Sequence, residues 1–137
     1  MNLINDRDHI AKWVFDQFTE HKHVRMMPDF RALAVVDKNR ILGAALFDCF
    51  YAFDCNVSIA IADKRCVTRS NLRMIFLYPF VQLLLPRISA SVASDNQRSL
   101  ALMERFGFKR EGVKRCAFGA GADEILFGML RCECPWL

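Results

Sequence analysis

The stretch from Asn96 to Arg115, NQRSLALMERFGFKREGVKR, constrains the fold more than any other part of the chain. Asp95 and Asn96 carry short polar side chains of the kind that satisfy the first free amides of a helix. Gly107, just before Phe108, supplies the left-handed backbone that stops this helix after Phe106, a conformation few other residues adopt cheaply. Glu111-Gly112 then leads into a strand that carries Arg115. A short helix with both ends encoded, followed at once by a strand, points to a layered mixture of helices and strands.

The rest of the chain extends that pattern. Ile10, Trp13, Val14, Phe15 and Phe18 fall near helical spacing after Asp6 and Asp8, which predicts an amphipathic helix over Asp8 to Glu20, with His21 to Pro28 as a loop. Ala32 to Val36 and Ile41 to Phe50 read as strands joined by a tight turn at Asp37-Lys38-Asn39-Arg40, and Asn56 to Ala62 as a third. A polar loop from Asp63 to Ser70 opens a helix whose apolar face is Leu72, Ile75, Phe76, Phe80, Leu83 and Leu84, with Pro79 bending or ending it. Ile88 to Val92 is a short strand. Val113 to Phe118 and Glu124 to Arg131 close the chain as a hairpin, with Ile125, Phe127 and Met129 on one buried face. The order is helix, three strands, helix, strand, helix, two strands, with at most a vestigial extra strand at Asn2 to Ile4.

Bulk properties bound what such a chain can do. At 137 residues, with no repeat or flexible linker, it is expected to form one domain over residues 1–137. No apolar run is long enough to span a membrane, and charges in MNLINDRDHIAKW stand where a signal peptide needs an apolar core. A cytoplasmic location is therefore expected. The six cysteines are irregularly spaced, which suits buried free thiols in a reducing compartment better than a disulfide framework. Cys132-x-Cys134 and His21-x-His23 lack the spacing and the matching second pair of a structural zinc site, so no metal is expected. The net charge of +4 is spread along the chain, which fits a polyphosphate ligand better than duplex DNA.

The series Asn96-x-x-Ser99, Gly107-Phe108, Glu111-Gly112 and Arg115, each at a secondary-structure boundary, resembles the second half of the GNAT superfamily of acyl-CoA-dependent N-acetyltransferases. The nearest branch in pattern is that of the ribosomal-protein N-terminal acetyltransferases. The resemblance implies an α/β (α+β) GNAT fold: a mixed central sheet with a splayed strand pair, flanked by helices. It also implies acetyl-CoA as cosubstrate and an amine-bearing acceptor, whether a protein N-terminus, a small amine or aminoacyl-tRNA.

Residue roles follow from the same resemblance. Arg65-Cys66-Val67-Thr68-Arg69-Ser70 stands where the family holds the pyrophosphate on a glycine-rich loop at a helix N-terminus. This loop has no glycine, so backbone amides, the hydroxyl of Thr68 or Ser70 and the charge of Arg65 or Arg69 would have to serve. Ile59, Ala60 and Ile61 would bind the pantetheine arm where the Val57–Ala62 strand splays and exposes backbone groups of Ala60 and Ile61, with a strand amide near Ile59–Ile61 as oxyanion donor. Asn96 would bond that arm or simply cap its helix. Met103 occupies the position where many relatives place a tyrosine that protonates the leaving thiolate. Ser99, one turn from Asn96, matches the serine proposed to take that part in the ribosomal-protein branch. A general base is not evident; Asp54, Asp123 and Glu124 are the carboxylates available. Glu111, Gly112 and Arg115 are expected to organise the sheet, and Trp136 to plug the core or meet a second copy in a homodimer.

Two rival functions are consistent with these residues. One is a non-catalytic GNAT-fold module that acts through a protein partner, favoured by the missing tyrosine and the glycine-free loop. The other is a small basic nucleic-acid binder, which needs aromatics exposed among basic residues, whereas most of the twelve phenylalanines fall at core-facing positions.

Overall fold

A computed structural model describes residues 2–17 and 29–137. The predicted helix end at Phe18 to Glu20, the loop from His21 to Pro28, and the His21-x-His23 pair lie outside the described residues.

The chain builds a 7-stranded mixed sheet in the order β1-β2-β3-β4-β5-β7-β6. Its strands are β1 (Asn2–Ile4), β2 (Phe30–Asp37), β3 (Arg40–Asp48), β4 (Asn56–Ile61), β5 (Arg87–Ala93), β6 (Lys109–Lys114) and β7 (Glu124–Leu130). The helices are α1 (Arg7–Gln17), α2 (Arg69–Leu77) and α3 (Gln97–Phe106). The vestigial strand is real: Asn2–Ile4 pairs antiparallel with β2. Lys38 and Asn39 both take positive φ, 46° and 65°, which is the hairpin geometry whose twist matches its flanking strands.

Strand β3 shows why the core has two compartments. Its side chains alternate, so Ala44 and Leu46 face α1 while Ala45 and Phe47 face α2 and α3. Both faces are covered, and β3 is accordingly apolar along almost its whole length. On one side Ile10, Ala11 and Val14 of α1 pack on Ala32, Ala34 and Ala60. On the other, the larger cluster joins Leu72, Ile75 and Phe76 of α2 to Leu100, Met103 and Phe106 of α3, across Ile88, Ala90, Val92 and the alternating Ile125, Phe127 and Met129.

Several predicted boundaries move. After α2 the chain passes into a π-turn, Tyr78–Gln82, with Pro79 near its start, and Leu84 turns to φ 55°. Leu83 and Leu84 are therefore exposed rather than on the buried face. Strand β3 ends at Asp48 because Cys49 takes φ 50°. Strand β6 begins at Lys109, directly after the Gly107 stop, and ends before Arg115, which lies in a turn. An exposed edge strand that reads KREGVK has no apolar alternation to reveal it, and its charges protect an open edge. Two of the six cysteines, Cys55 and Cys66, are buried; Cys116 and Cys132 are exposed, and all six are free thiols. Trp136 packs edge-on against Phe106 and donates from Nε1 to the Phe106 carbonyl at 2.8 Å, so it closes the core.

Candidate functional site

Among the described residues β4 and β5 are the only parallel neighbours in the sheet, and they pair at a single position, Asn56 opposite Ser89. Beyond that point they diverge. Residues on a strand aim their backbone groups alternately to either side. Asn56, Ser58 and Ala60 aim theirs at β3, as Ala62 does when it donates to the Leu42 carbonyl at 2.9 Å. Cys55 accepts from Ser89 on the other side at 2.8 Å, so the groups of Ile59 and Ile61 face the gap. The expected splay is present, but the exposed groups differ from those expected: the backbone of Ala60 is paired into β3, and those of Ile59 and Ile61 face the opening, because backbone groups alternate along a strand.

A cleft of about 610 Å³ fills the gap. Ile59, Ala60 and Ile61 form one wall, with Lys64 and Val67 from the following loop. Asn96, Arg98, Ser99, Leu102 and Arg105 of the α3 segment form the other. Gln17 also lines it, from the end of the helix that covers the opposite face of the sheet. The split thus opens a passage between the two faces.

The charge of this lining is one-sided. Lys64, Arg98 and Arg105 contribute three cations, and no carboxylate lines the cleft among the described residues. A concave site with one sign of charge concentrates ions of the opposite sign. Arg98 lies across the gap, its guanidinium donating to the Ile61 carbonyl at 3.0 Å.

The loop from Arg65 to Ser70 is a capped turn. Asp63 accepts from the Arg65 amide at 2.9 Å and from its guanidinium at 2.9 Å, and Asp37 adds a second ion pair at 3.4 Å. Hydrogen bonding to Arg65 holds the Asp63 carboxyl below its ordinary range. The amides of Cys66, Val67 and Thr68 bond back to the carbonyls of Asp63, Lys64 and Cys66. Thr68 caps α2 by accepting from the Asn71 amide at 3.2 Å. The first two amides of α2, those of Arg69 and Ser70, have no intrahelical acceptor, and among the described residues the turn supplies none. The Cys66 side chain is buried beneath Gly43, where an added methyl group would approach Sγ to 2.6 Å. Of the six predicted loop residues only Val67 lines the cleft. Lys64, Arg98 and Arg105 escaped the sequence analysis, although Arg98 and Arg105 are two turns apart on the same helix as Asn96 and Ser99.

Asn96 caps α3, its Oδ1 accepting from the Ser99 amide at 3.1 Å. That bond uses the carbonyl end and leaves the amide NH₂ as a donor at the cleft wall. Ser99 is half-buried on the same wall. Met103 is buried in the core and does not line the cleft. The three candidate carboxylates all have structural partners. Asp54 takes a 2.6 Å bond from Ser89 and a 3.2 Å ion pair from Arg87; Asp123 accepts from the Cys116 amide at 2.9 Å; Glu124 lies 3.9 Å from Lys114. Among the described residues no group of three or more His, Cys, Asp or Glu side chains could hold a metal ion, and no helix is long and apolar enough to cross a membrane.

A mixed sheet split between its parallel pair, with helices on both faces, is the fold of the GNAT acetyltransferases, and solved structures bear this out. Mutant forms of the spermidine/spermine N-acetyltransferase SpeG from Vibrio cholerae superpose with TM-score 0.75 over 96% of this chain and 94% of theirs, at 16% identity. A GNAT-family acetyltransferase from Bacillus anthracis matches with TM-score 0.58 over 74% of this chain and 65% of its own, at 19% identity. In sequence, the chain is 27% identical to an SPbeta prophage-derived uncharacterized N-acetyltransferase, YokL, of Bacillus subtilis strain 168, over 92% of this chain and 72% of that protein. No protein-family model matches the chain. The structural neighbours share the fold of this chain, and the sequence relative is named as an N-acetyltransferase. None of these relatives singles out the ribosomal-protein branch.

Proposed function

We propose that this protein is an acetyl-CoA-dependent N-acetyltransferase acting on a primary amine. One observation carries the proposal: the split between β4 and β5 turns the backbone groups of Ile59 and Ile61 into a cationic cleft that passes between the two faces of the sheet. An extended, amide-bearing arm can pair with such an edge as an added strand would. Its phosphates find Lys64, Arg98 and Arg105 around the cleft, and the Arg69 and Ser70 amides at the start of α2. Arg65, Cys66 and Thr68 shape that turn, and Val67 contacts the ligand directly. Asn96 bonds the arm through its NH₂ while its oxygen keeps the cap.

The chemistry asks little of the protein. A thioester is already activated, so binding both substrates in line and stabilising the oxyanion carry most of the rate. The amide of Ile59 or Ile61 supplies the oxyanion donor, and Ser99 the proton for the departing thiolate. Among the described residues no carboxylate lines the cleft to act as base, and the amine loses its proton to water. The acceptor enters from the face opposite α3, where Gln17 lines the opening. Because the V. cholerae neighbours are named for spermidine and spermine, a small polyamine heads the acceptors to screen, before peptide N-termini and aminoacyl-tRNA.

The test is ligand-dependent thermal stability. Acetyl-CoA should raise the midpoint, dephospho-CoA less, and pantetheine least, because at equal concentration a ligand selective for the native state stabilises it more the tighter it binds. No shift at millimolar acetyl-CoA would overturn the enzyme and favour a non-catalytic GNAT-fold module that works through a protein partner.

A further inference from the structure

We propose that Arg98 is an exchangeable cap on the split edge of β4: its guanidinium holds the Ile61 carbonyl in the free protein, and moves to a phosphate when the cosubstrate arm takes that carbonyl. This inference rests on the proposed cosubstrate and assigns a residue that decides between ligands with and without phosphate.

The observations come from both partners of one bond. Splitting a sheet leaves backbone acceptors that need a donor. On β4 the Ile61 carbonyl faces the gap, and the donor that reaches it is the side chain of Arg98, 37 positions away in sequence, at 3.0 Å. A neutral carbonyl accepts a bond from the guanidinium without neutralising its charge, whereas a phosphate supplies the opposite charge and a bidentate fit. Among the described residues Arg98 has no carboxylate partner, and its side chain is exposed. It also shares the cleft with Lys64 and Arg105, so the local field already favours an anion there. The same carbonyl is the acceptor that an amide-bearing arm requires when it lies along Ile59 and Ile61. Carbonyl and guanidinium therefore each have a better partner in one ligand that carries both an amide and a phosphate.

Such an exchange makes a prediction of opposite sign for two ligands. Pantetheine competes with Arg98 for the carbonyl and offers the displaced charge nothing. CoA competes for the same carbonyl and offers its phosphates. Removing Arg98 should therefore weaken CoA while leaving pantetheine unchanged or improved.

The experiment titrates CoA by calorimetry, and pantetheine by ligand-detected NMR, into the wild-type protein, Arg98→Ala and Arg98→Lys. For Arg98→Ala, the CoA dissociation constant should rise about tenfold or more and lose part of its salt dependence. The pantetheine constant should stay level or fall a few-fold. Arg98→Lys should retain part of the CoA affinity. Arg98 is exposed, so the variants should melt within a few degrees of wild type. Equal loss for both ligands would make Arg98 a plain strut of the cleft, and an unchanged CoA constant with unchanged salt dependence would also overturn the exchange. If pantetheine binding is too weak to detect in every protein, the salt dependence of CoA binding decides alone. Failure of the wild-type protein to bind CoA would instead overturn the proposed cosubstrate.

Discussion

The carboxylate of Glu111 reaches the guanidinium of Arg87 at 2.9 Å, and its path lies directly over Gly128. Glu111 sits at the register shift of β6, between Arg110 and Gly112, where the strand carries one residue more than its partner. The bulge aims the side chain across β7 instead of along the edge. Arg87 in turn bonds Ser89 at 2.9 Å and pairs with Asp54 at 3.2 Å, so the network reaches the strand at which β4 and β5 part. This is the organising role expected of Glu111 and Gly112; Arg115 takes no part in the strand.

Gly128→Ala should therefore be disruptive, because the new methyl group would occupy the space of the Glu111 carboxylate and crowd Arg87 at 2.7 Å. A loss of about 1–3 kcal/mol is expected in urea unfolding. Combining it with Glu111→Ala should give less than the sum of the two single losses, since both remove the same pair.

Asn96 separates capping from ligand binding. Asn96→Ala should lose about 0.5–2 kcal/mol of stability with the cap bond to the Ser99 amide. Asn96→Asp keeps an accepting oxygen and should stay near wild type in melting temperature. It replaces the NH₂ donor by a charge, so acetyl-CoA affinity should drop in titration. Retained affinity in the Asp variant would leave Asn96 as a cap alone.

Ser99→Ala should lower turnover by about ten- to a thousand-fold with little change in acetyl-CoA affinity, measured by steady-state kinetics once an acceptor is found. Restoring the tyrosine of other relatives should not compensate. Met103 is 3% exposed and packed in the core, so Met103→Tyr would bring extra volume and a hydroxyl into apolar surroundings. A destabilisation of about 1–3 kcal/mol is expected, without recovery of rate.

Cys55 makes stability depend on alkaline pH. Burial, followed by the charges of Asp54, Asp48 and Cys49, pushes its thiol up to about 12 from 9.0. Between those values the unfolded chain releases the proton and the native protein keeps it. Stability must then fall as pH rises through this window, by at most about 1.4 kcal/mol per pH unit. Cys55→Ala should flatten that slope in thermal melts from pH 9 upward. At pH 8 the native protein should be alkylated at exposed Cys116 and Cys132, with Cys55 protected.

What the chain determines locally was legible without a structure. The Asn96 cap, the Gly107 stop at φ 102°, the Lys38-Asn39 turn and the alternation of Ile125, Phe127 and Met129 each depend on residues within a few positions of one another. Side-chain reach and backbone conformation decide such features, and both are properties of the residues present. The family pattern was legible for the same reason, since it consists of these boundaries in order. Only the tertiary structure decided which groups face the gap. β4 and β5 are separated by α2, and a single pairing at Asn56 and Ser89 sets where they part. The fold brings Asp37 beside Arg65, and it sets Arg98 across from Ile61. Charges act through space, and their partners here lie 28 and 37 residues away. No local spacing encodes such a meeting, so the lining of the cleft belongs to the tertiary structure.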